Sequence, residues 1–174
     1  MPNSGMDQNR LNDFLAASVG YSANVSSPFT AVLTTPFSAS ASQLGHIRVI
    51  TTATPSTSTS NGSELAGGSY VQGTGIQYTT GPAGQFSTPV FGSGPGGSGE
   101  SSTGNNAQLS QTGMPAANIG GIEIWDSKGT APTYATSNRW WWGQLSTPVS
   151  TNNGDTLVFN TNAIIAALFG PGLT

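Results

Sequence analysis

The residues of this chain that could do chemistry are few and scattered. Gly94-Pro95-Gly96-Gly97-Ser98-Gly99-Glu100-Ser101 has the spacing of a phosphate-binding loop, in which backbone amides cradle phosphates and a lysine neutralises them. Glu100 stands where that lysine must be. A carboxylate there repels phosphate, so the stretch reads as a Gly-rich loop and not as a nucleotide site. His46 is the single imidazole, so any Ser-His-Asp arrangement would have to use it. No Gly-x-Ser-x-Gly elbow accompanies it, and its neighbours look like the start of a strand, so it reads as a structural or surface histidine and not a catalytic one. Glu123 and Asp126 lie three positions apart in a predicted strand and so point to opposite faces, where they cannot work as a paired acid and base. Asp126-Ser127-Lys128-Gly129 reads as a turn, and Asp155, following Asn153-Gly154, has the same conformational explanation. The chain has no Cys, which removes a thiol nucleophile, a thiolate zinc site and a disulfide framework. No catalytic, cofactor-binding or metal-ligating constellation emerges, and the chain is expected not to be an enzyme.

The other conspicuous feature is Trp140-Trp141-Trp142, three of the four tryptophans in the chain. On a strand, alternation turns Trp141 opposite to Trp140 and Trp142, so large apolar surface stands on both faces and both must be covered. Three readings are open. The rings belong to a core and its rim; or the outer ones anchor a neighbouring subunit; or they form a stacking platform for sugars. The turn Asn152-Asn153-Gly154 makes the tryptophan strand one arm of an expected hairpin whose other arm is Asp155–Asn160.

These residues need elements to hold them. In "DQNRLNDFLAASVG", Leu11, Phe14, Leu15 and Val19 recur at helical spacing, Asp7 suits the N-cap and Gly20 the C-cap, which predicts one short N-terminal helix. Leu11, Phe14 and Leu15, with Trp140, Trp141 and Trp142, are the candidate subunit interface. The rest reads as β: runs at 28–35, 46–52, 69–80 and 118–127, a strand at about 138–146 and another at about 155–160. The tail "NAIIAALFG" fits a strand or a helical turn. The stretches 52–63 and 91–106 carry too little apolar surface to order themselves. The expected fold class is all-β, an antiparallel β-sandwich or jelly roll of about 7–8 strands with that one helix. The expected organisation is a single domain over 1–174, with a helical arm at about 1–20 and a Gly/Ser-rich loop at about 91–106.

Only 6% of the residues are charged, against about 25% in an ordinary domain. A net charge of -3 leaves no basic patch for phosphates, so nucleic acid is not an expected partner. The polar surface is built from Ser, Thr, Asn, Gln and Gly, which hydrogen-bond without the desolvation cost of ions and suit contacts between subunits. No basic start with an apolar run opens the chain and no stretch approaches membrane-spanning length, so synthesis in the cytoplasm and no membrane association are expected.

From about Leu44 to Leu168 the chain resembles a family of small tailed-bacteriophage virion proteins, the minor tail or tail-fibre-like proteins. The resemblance rests on "SNGSELAGGSYVQ" (60–72), "LSQTGMPAANIGGIEIWDS" (109–127) and "RWWWGQLSTPVSTNNGDTLVFNTNAIIAAL" (139–168), in that order. Glu64, Gly67, Gly68 and Tyr70 match its first motif, Trp125 and Asp126 its second, and Gly143, Leu145, Gly154, Asp155 and Thr156 its third. Gln72 stands at the position of the family's Arg, so an ion pair between that position and Glu64 cannot form. The resemblance implies a structural role on the exterior of a virion, without enzymatic activity or cofactor. The expected function is capsid decoration, with a minor tail or tail-fibre-associated role as the alternative and host-glycan binding as a third reading. The expected partners are the major capsid or tail protein and further copies of this chain.

Overall fold

"LGHIRVIT" alternates the polar His46 and Arg48 with the apolar, β-branched Ile47 and Val49, the period of a strand. It forms the first strand, β1 (Leu44–Thr51), in which residues 45–50 are all buried. The computed structural model describes residues 44–57, 60–79, 85–87, 90–91, 100–125 and 139–169. Among them the chain is all-β, with nine strands and no helix. After β1 come β2 (Ile76–Thr79), β3 (Val90–Phe91), β4 (Glu100–Gly104), β5 (Leu109–Gln111), β6 (Ala117–Trp125), β7 (Arg139–Thr151), β8 (Leu157–Phe159) and β9 (Ile165–Phe169). The pairs β1–β6, β6–β7, β5–β8, β3–β4 and β4–β9 are antiparallel. The expected N-terminal helix, with Leu11, Phe14 and Leu15, and the run at 28–35 lie outside the described residues.

The contacts group the chain into two compact units, each assembled from separated segments. One comprises 44–78 and 109–159. It holds the four-stranded sheet in the order β2-β1-β6-β7, but for Thr79, and the β5–β8 pair. Register sorts the side chains of this sheet. Ile47 pairs with Ile124 and Val49 with Ile122 on one face; His46 pairs with Trp125 and Arg48 with Glu123 on the other. Ile47, Val49, Ile119, Ile124 and Trp125 are buried, together with Met114 from the loop before β6. Burying one such side chain contributes roughly 1.5–3 kcal/mol.

Several expected elements take a different form. The alternation over 69–80 yields a strand only at Ile76–Thr79. Before it the chain turns, with Gly73 at φ 76° and Gly75 at φ 59°. A Cβ on Gly75 would come within 2.3 Å of the Ile47 carbonyl oxygen, so this turn lies against β1 too closely for any side chain. The expected hairpin across Asn152-Asn153-Gly154 does not form, because β7 pairs with β6 whereas β8 pairs with β5. The turn is captured by another segment: Gly154 N–H donates to Met114 O and Met114 N–H donates to Asp155 O, each at 2.9 Å. That pair of hydrogen bonds to the Met114 loop redirects the chain onto β5. Within the Gly/Ser-rich stretch, Glu100–Gly104 is strand β4, and the tail adopts the strand form, β9.

The other unit includes the described parts of 79–108 and 160–169, with the three-stranded sheet in the order β3-β4-β9. Its described residues bury polar side chains beside Phe86 and Ile164. Asn105, fully buried, donates from Nδ2 to Ala107 O at 2.9 Å and Asn160 O at 2.8 Å, and its Oδ1 accepts from Ile164 N–H at 2.9 Å. Its backbone bonds Ile164 and Asn162 as well. The one amide thus satisfies three backbone groups where β4 ends and β9 begins, which explains why an uncharged polar residue occupies the interior.

Asn105→Asp keeps the size but removes both Nδ2 donors and sets a carboxylate against two carbonyls. We expect a loss of about 3 kcal/mol, read as a fall in the urea midpoint, against less than about 0.5 kcal/mol for Thr161→Ala at an exposed position nearby.

Candidate functional site

Strand alternation places Glu123 on the same face of β6 as Trp125, and that face is covered. An ionised carboxylate 1% exposed has to be paired and hydrogen-bonded on both oxygens. Its Oε1 accepts from Ser56 Oγ at 2.7 Å, Arg139 Nη1 at 2.9 Å and Gly62 N–H at 3.0 Å; its Oε2 accepts from Trp125 Nε1 at 2.8 Å. Arg139, 12% exposed at the start of β7, is the compensating cation. Its guanidinium also reaches Ser60 O at 2.7 Å and Thr57 O at 2.6 Å. Arg48 stacks on the Trp125 ring, 3.7 Å from the centroid.

These bonds account for the order of the described residues in the 52–63 stretch. With Ala53 and Pro55 its only apolar side chains, it is tied to the sheet as a strap through polar bonds: Ser56 and Gly62 to Glu123, Thr57 and Ser60 to Arg139, and Ser56 O to Gln144 Nε2 at 3.4 Å. Sequence reasoning weighed Glu123 only as half of an acid–base pair and overlooked Arg139. The available signal was an anion and a cation in strands of a chain with so few of either.

A second carboxylate holds the next loop. Glu64 Oε1 accepts from Tyr70 OH at 2.8 Å, and both its oxygens lie 3.0 Å from Gly73 N. Tyr70 OH accepts in turn from Val49 N–H at 2.9 Å. Gln72, at the position where the resembled family has Arg, donates to the Glu64 backbone carbonyl at 3.1 Å instead of forming an ion pair. His46 is buried, with Nδ1 2.7 Å from Thr74 O, a structural placement in β1. Asp155 caps its own turn, accepting from Asn152 N–H at 2.7 Å.

The tryptophans divide as alternation requires, with one exception. Trp141 pairs with Ile124 and Trp142 with Glu123, on opposite faces. Trp125 pairs with Arg139, so Trp140 is the extra residue of a β-bulge and the simple alternation breaks there. The Trp140 side chain lies outside what the structure describes. Trp141 is half-buried, whereas Trp142 is 42% exposed and Val149 43%. Among the described residues β7 is the outer strand of its sheet, and residues 146–150 along it are all exposed. A second irregularity sits there: Ile119 pairs with Val149 and Gly121 with Gln144, so Gly120 alone faces Leu145, Ser146, Thr147 and Pro148. The structure thus brings Trp141 and Trp142 to a sheet edge; Leu11, Phe14 and Leu15 are not among the described residues.

Among the described residues no group of three or more His, Asp or Glu could hold a metal ion, and no helix is long and apolar enough to cross a membrane. Asp126 lies outside the described residues. Comparison with protein-family models, curated proteins and solved structures gives no match for this chain.

Removing one partner of a buried ion pair leaves the other charged and unpaired. We expect Arg139→Ala to cost on the order of 3 kcal/mol and to open the strap to limited proteolysis between 52 and 63. Undiminished resistance to cleavage would contradict the assignment. Tyr70 supplies a pH dependence. Burial, then the Glu64 charge, pushes its hydroxyl pKa well above the ordinary 10.0. Below that ordinary value Tyr70 is neutral in both folded and unfolded states, and its contribution is fully present. Above it the unfolded chain loses a proton that the folded chain keeps, so stability falls as pH rises. Denaturation series on either side of pH 10 should show that decline, and Tyr70→Phe should be less stable at neutral pH yet flatter in the alkaline range.

Proposed function

We propose that this chain is a non-enzymatic structural protein of a tailed-bacteriophage virion, an auxiliary decoration protein on the outside of the capsid. The observation that carries this reading is the use made of its scarce charges. Glu64, Glu123, Arg139 and Asp155 each hold a loop in place. The residues shared with the resembled family have the same character: Glu64 and Tyr70 bind each other, Trp125 is packed under Arg48, and Gly154 and Asp155 form a turn. Among the described residues the β7 edge offers an outside partner an exposed Trp and Val on a surface of neutral polar side chains. Such a surface suits contacts repeated over a symmetric lattice, where many weak bonds and a few aromatic anchors sum to firm attachment. On this reading the antiparallel sheets belong to a β-sandwich or jelly roll, and the contact is made with capsid protein and with further copies of the chain.

A minor tail or tail-fibre-associated role is favoured by the family's usual label and would use the same fold at lower copy number. Quantifying the chain against the major capsid protein in purified virions separates the two. On the order of hundreds of copies per particle is the expected result for lattice decoration, and a few dozen or fewer would move the protein to the tail. Trp142→Ala should leave folding within about 1 kcal/mol of wild type, because the ring is half in solvent, while weakening attachment to particles. Loss of binding on a glycan array with particle attachment intact would instead favour a sugar platform.

A further inference from the structure

The chain contains two Asn-Gly bonds, Asn61-Gly62 and Asn153-Gly154. This dipeptide is chemically the weakest point of an ordinary backbone. The glycine nitrogen, unhindered by a side chain, loses its proton and attacks the asparagine Cγ; a new N–C bond forms and the side-chain nitrogen leaves as ammonia. Water then opens the resulting succinimide at either carbonyl, giving aspartate or isoaspartate. Neither glycine is dispensable here. A Cβ on Gly62 would come within 2.3 Å of Ile50 Cγ2 and 2.7 Å of Ser56 Oγ, and Gly154 has φ 88°. The fold therefore keeps both hazards.

It also restrains both. Gly154 N–H donates to Met114 O at 2.9 Å, and Asn153 Oδ1 accepts from Ala116 N–H at 2.9 Å, so nitrogen and electrophile are each held elsewhere. At the other bond the restraint is the strap anchor. Gly62 N–H donates to Glu123 Oε1 at 3.0 Å, and Arg139 holds the Ser60 carbonyl just before Asn61. Attack by Gly62 requires breaking its bond to Glu123 and forming an amide anion beside a carboxylate, which like-charge repulsion opposes. Asn61 itself is exposed, so water and a departing ammonia meet no barrier.

We infer that Asn61–Gly62 is a latent self-modification site, kept unreactive by the Glu123–Arg139 anchor, so that release of the strap is converted into an irreversible succinimide and isoaspartate at Asn61. Asn153, whose restraint does not involve Glu123 or Arg139, is the internal reference. The test is peptide mapping of the folded chain during warm, mildly alkaline incubation, with isoaspartate at each site scored by mass spectrometry and by isoaspartyl methyltransferase labelling. In the wild type both sites should react far more slowly than in the same chain held unfolded in urea. The double variant Glu123→Gln/Arg139→Ala removes both charges of the anchor together. It should raise the Asn61 rate at least about tenfold while leaving Asn153 slow. Ser56→Ala, a milder change to the same anchor, should raise it less. Wild-type Asn61 reacting as fast as in urea, an unchanged rate in the double variant, or equal acceleration at both sites would each overturn the inference.

Discussion

A carboxylate inside a β-sheet has to be matched, and matching Glu123 organises the unit built from 44–78 and 109–159. Its four donors come from the strap, from β7 and from its own strand, so one side chain joins segments with no apolar reason to meet. A buried ion pair contributes little beyond what a well-packed apolar pair would, but it is unforgiving of misplacement. That asymmetry suits a loop whose only apolar side chains are Ala53 and Pro55: it is held in one position by hydrogen-bond geometry, where packing would have held it loosely or not at all. Trp125 belongs to the same arrangement, with its ring under Arg48 and its indole N–H on Glu123. The aromatic core and the polar strap therefore share their supports.

The β character of the chain was legible in residue type. The runs around Val49 and Ile124 are rich in β-branched residues, and the register of β1 with β6 follows their alternation. Trp141 and Trp142 fall on opposite faces for the same reason. What escaped was long-range and polar. Nothing local in "TATPSTSTSNGS" signals a docked strap, because its order depends on groups 67 and 82 positions away. The hairpin expected after Asn152-Asn153-Gly154 failed because turn residues specify a reversal and not a partner; Met114 decided which strand would receive the chain. Asn105 was invisible within a stretch of Gly, Ser and Asn whose composition resembles that of a flexible loop, although it anchors both strands beside it.

The outer strand of the four-stranded sheet carries its own safeguards. The bulge at Trp140, the looped residues opposite Gly120 and Pro148, which has no N–H to offer, all interrupt the ladder that another chain's strand would need. Proteins with uncharged surfaces lack the lysines that usually discourage edge pairing, and irregular backbone does that work here. Contact along this edge then falls to side chains, with Trp142 and Val149 the largest exposed apolar groups on it.

The strap also fixes an order of events. Thr57 is bonded to a residue 82 positions further on, and the unit containing both is interrupted in sequence by residues 79–108. During synthesis β1 and the strap emerge long before β6 and β7 exist to receive them. Folding of this unit is therefore governed by closure of long loops, which places it among slow-folding, high-contact-order β proteins. Until Arg139 arrives, "TATPSTSTSNGS" stays solvated, and its lack of large apolar and charged residues becomes an advantage: a nascent chain that must wait has little there with which to aggregate.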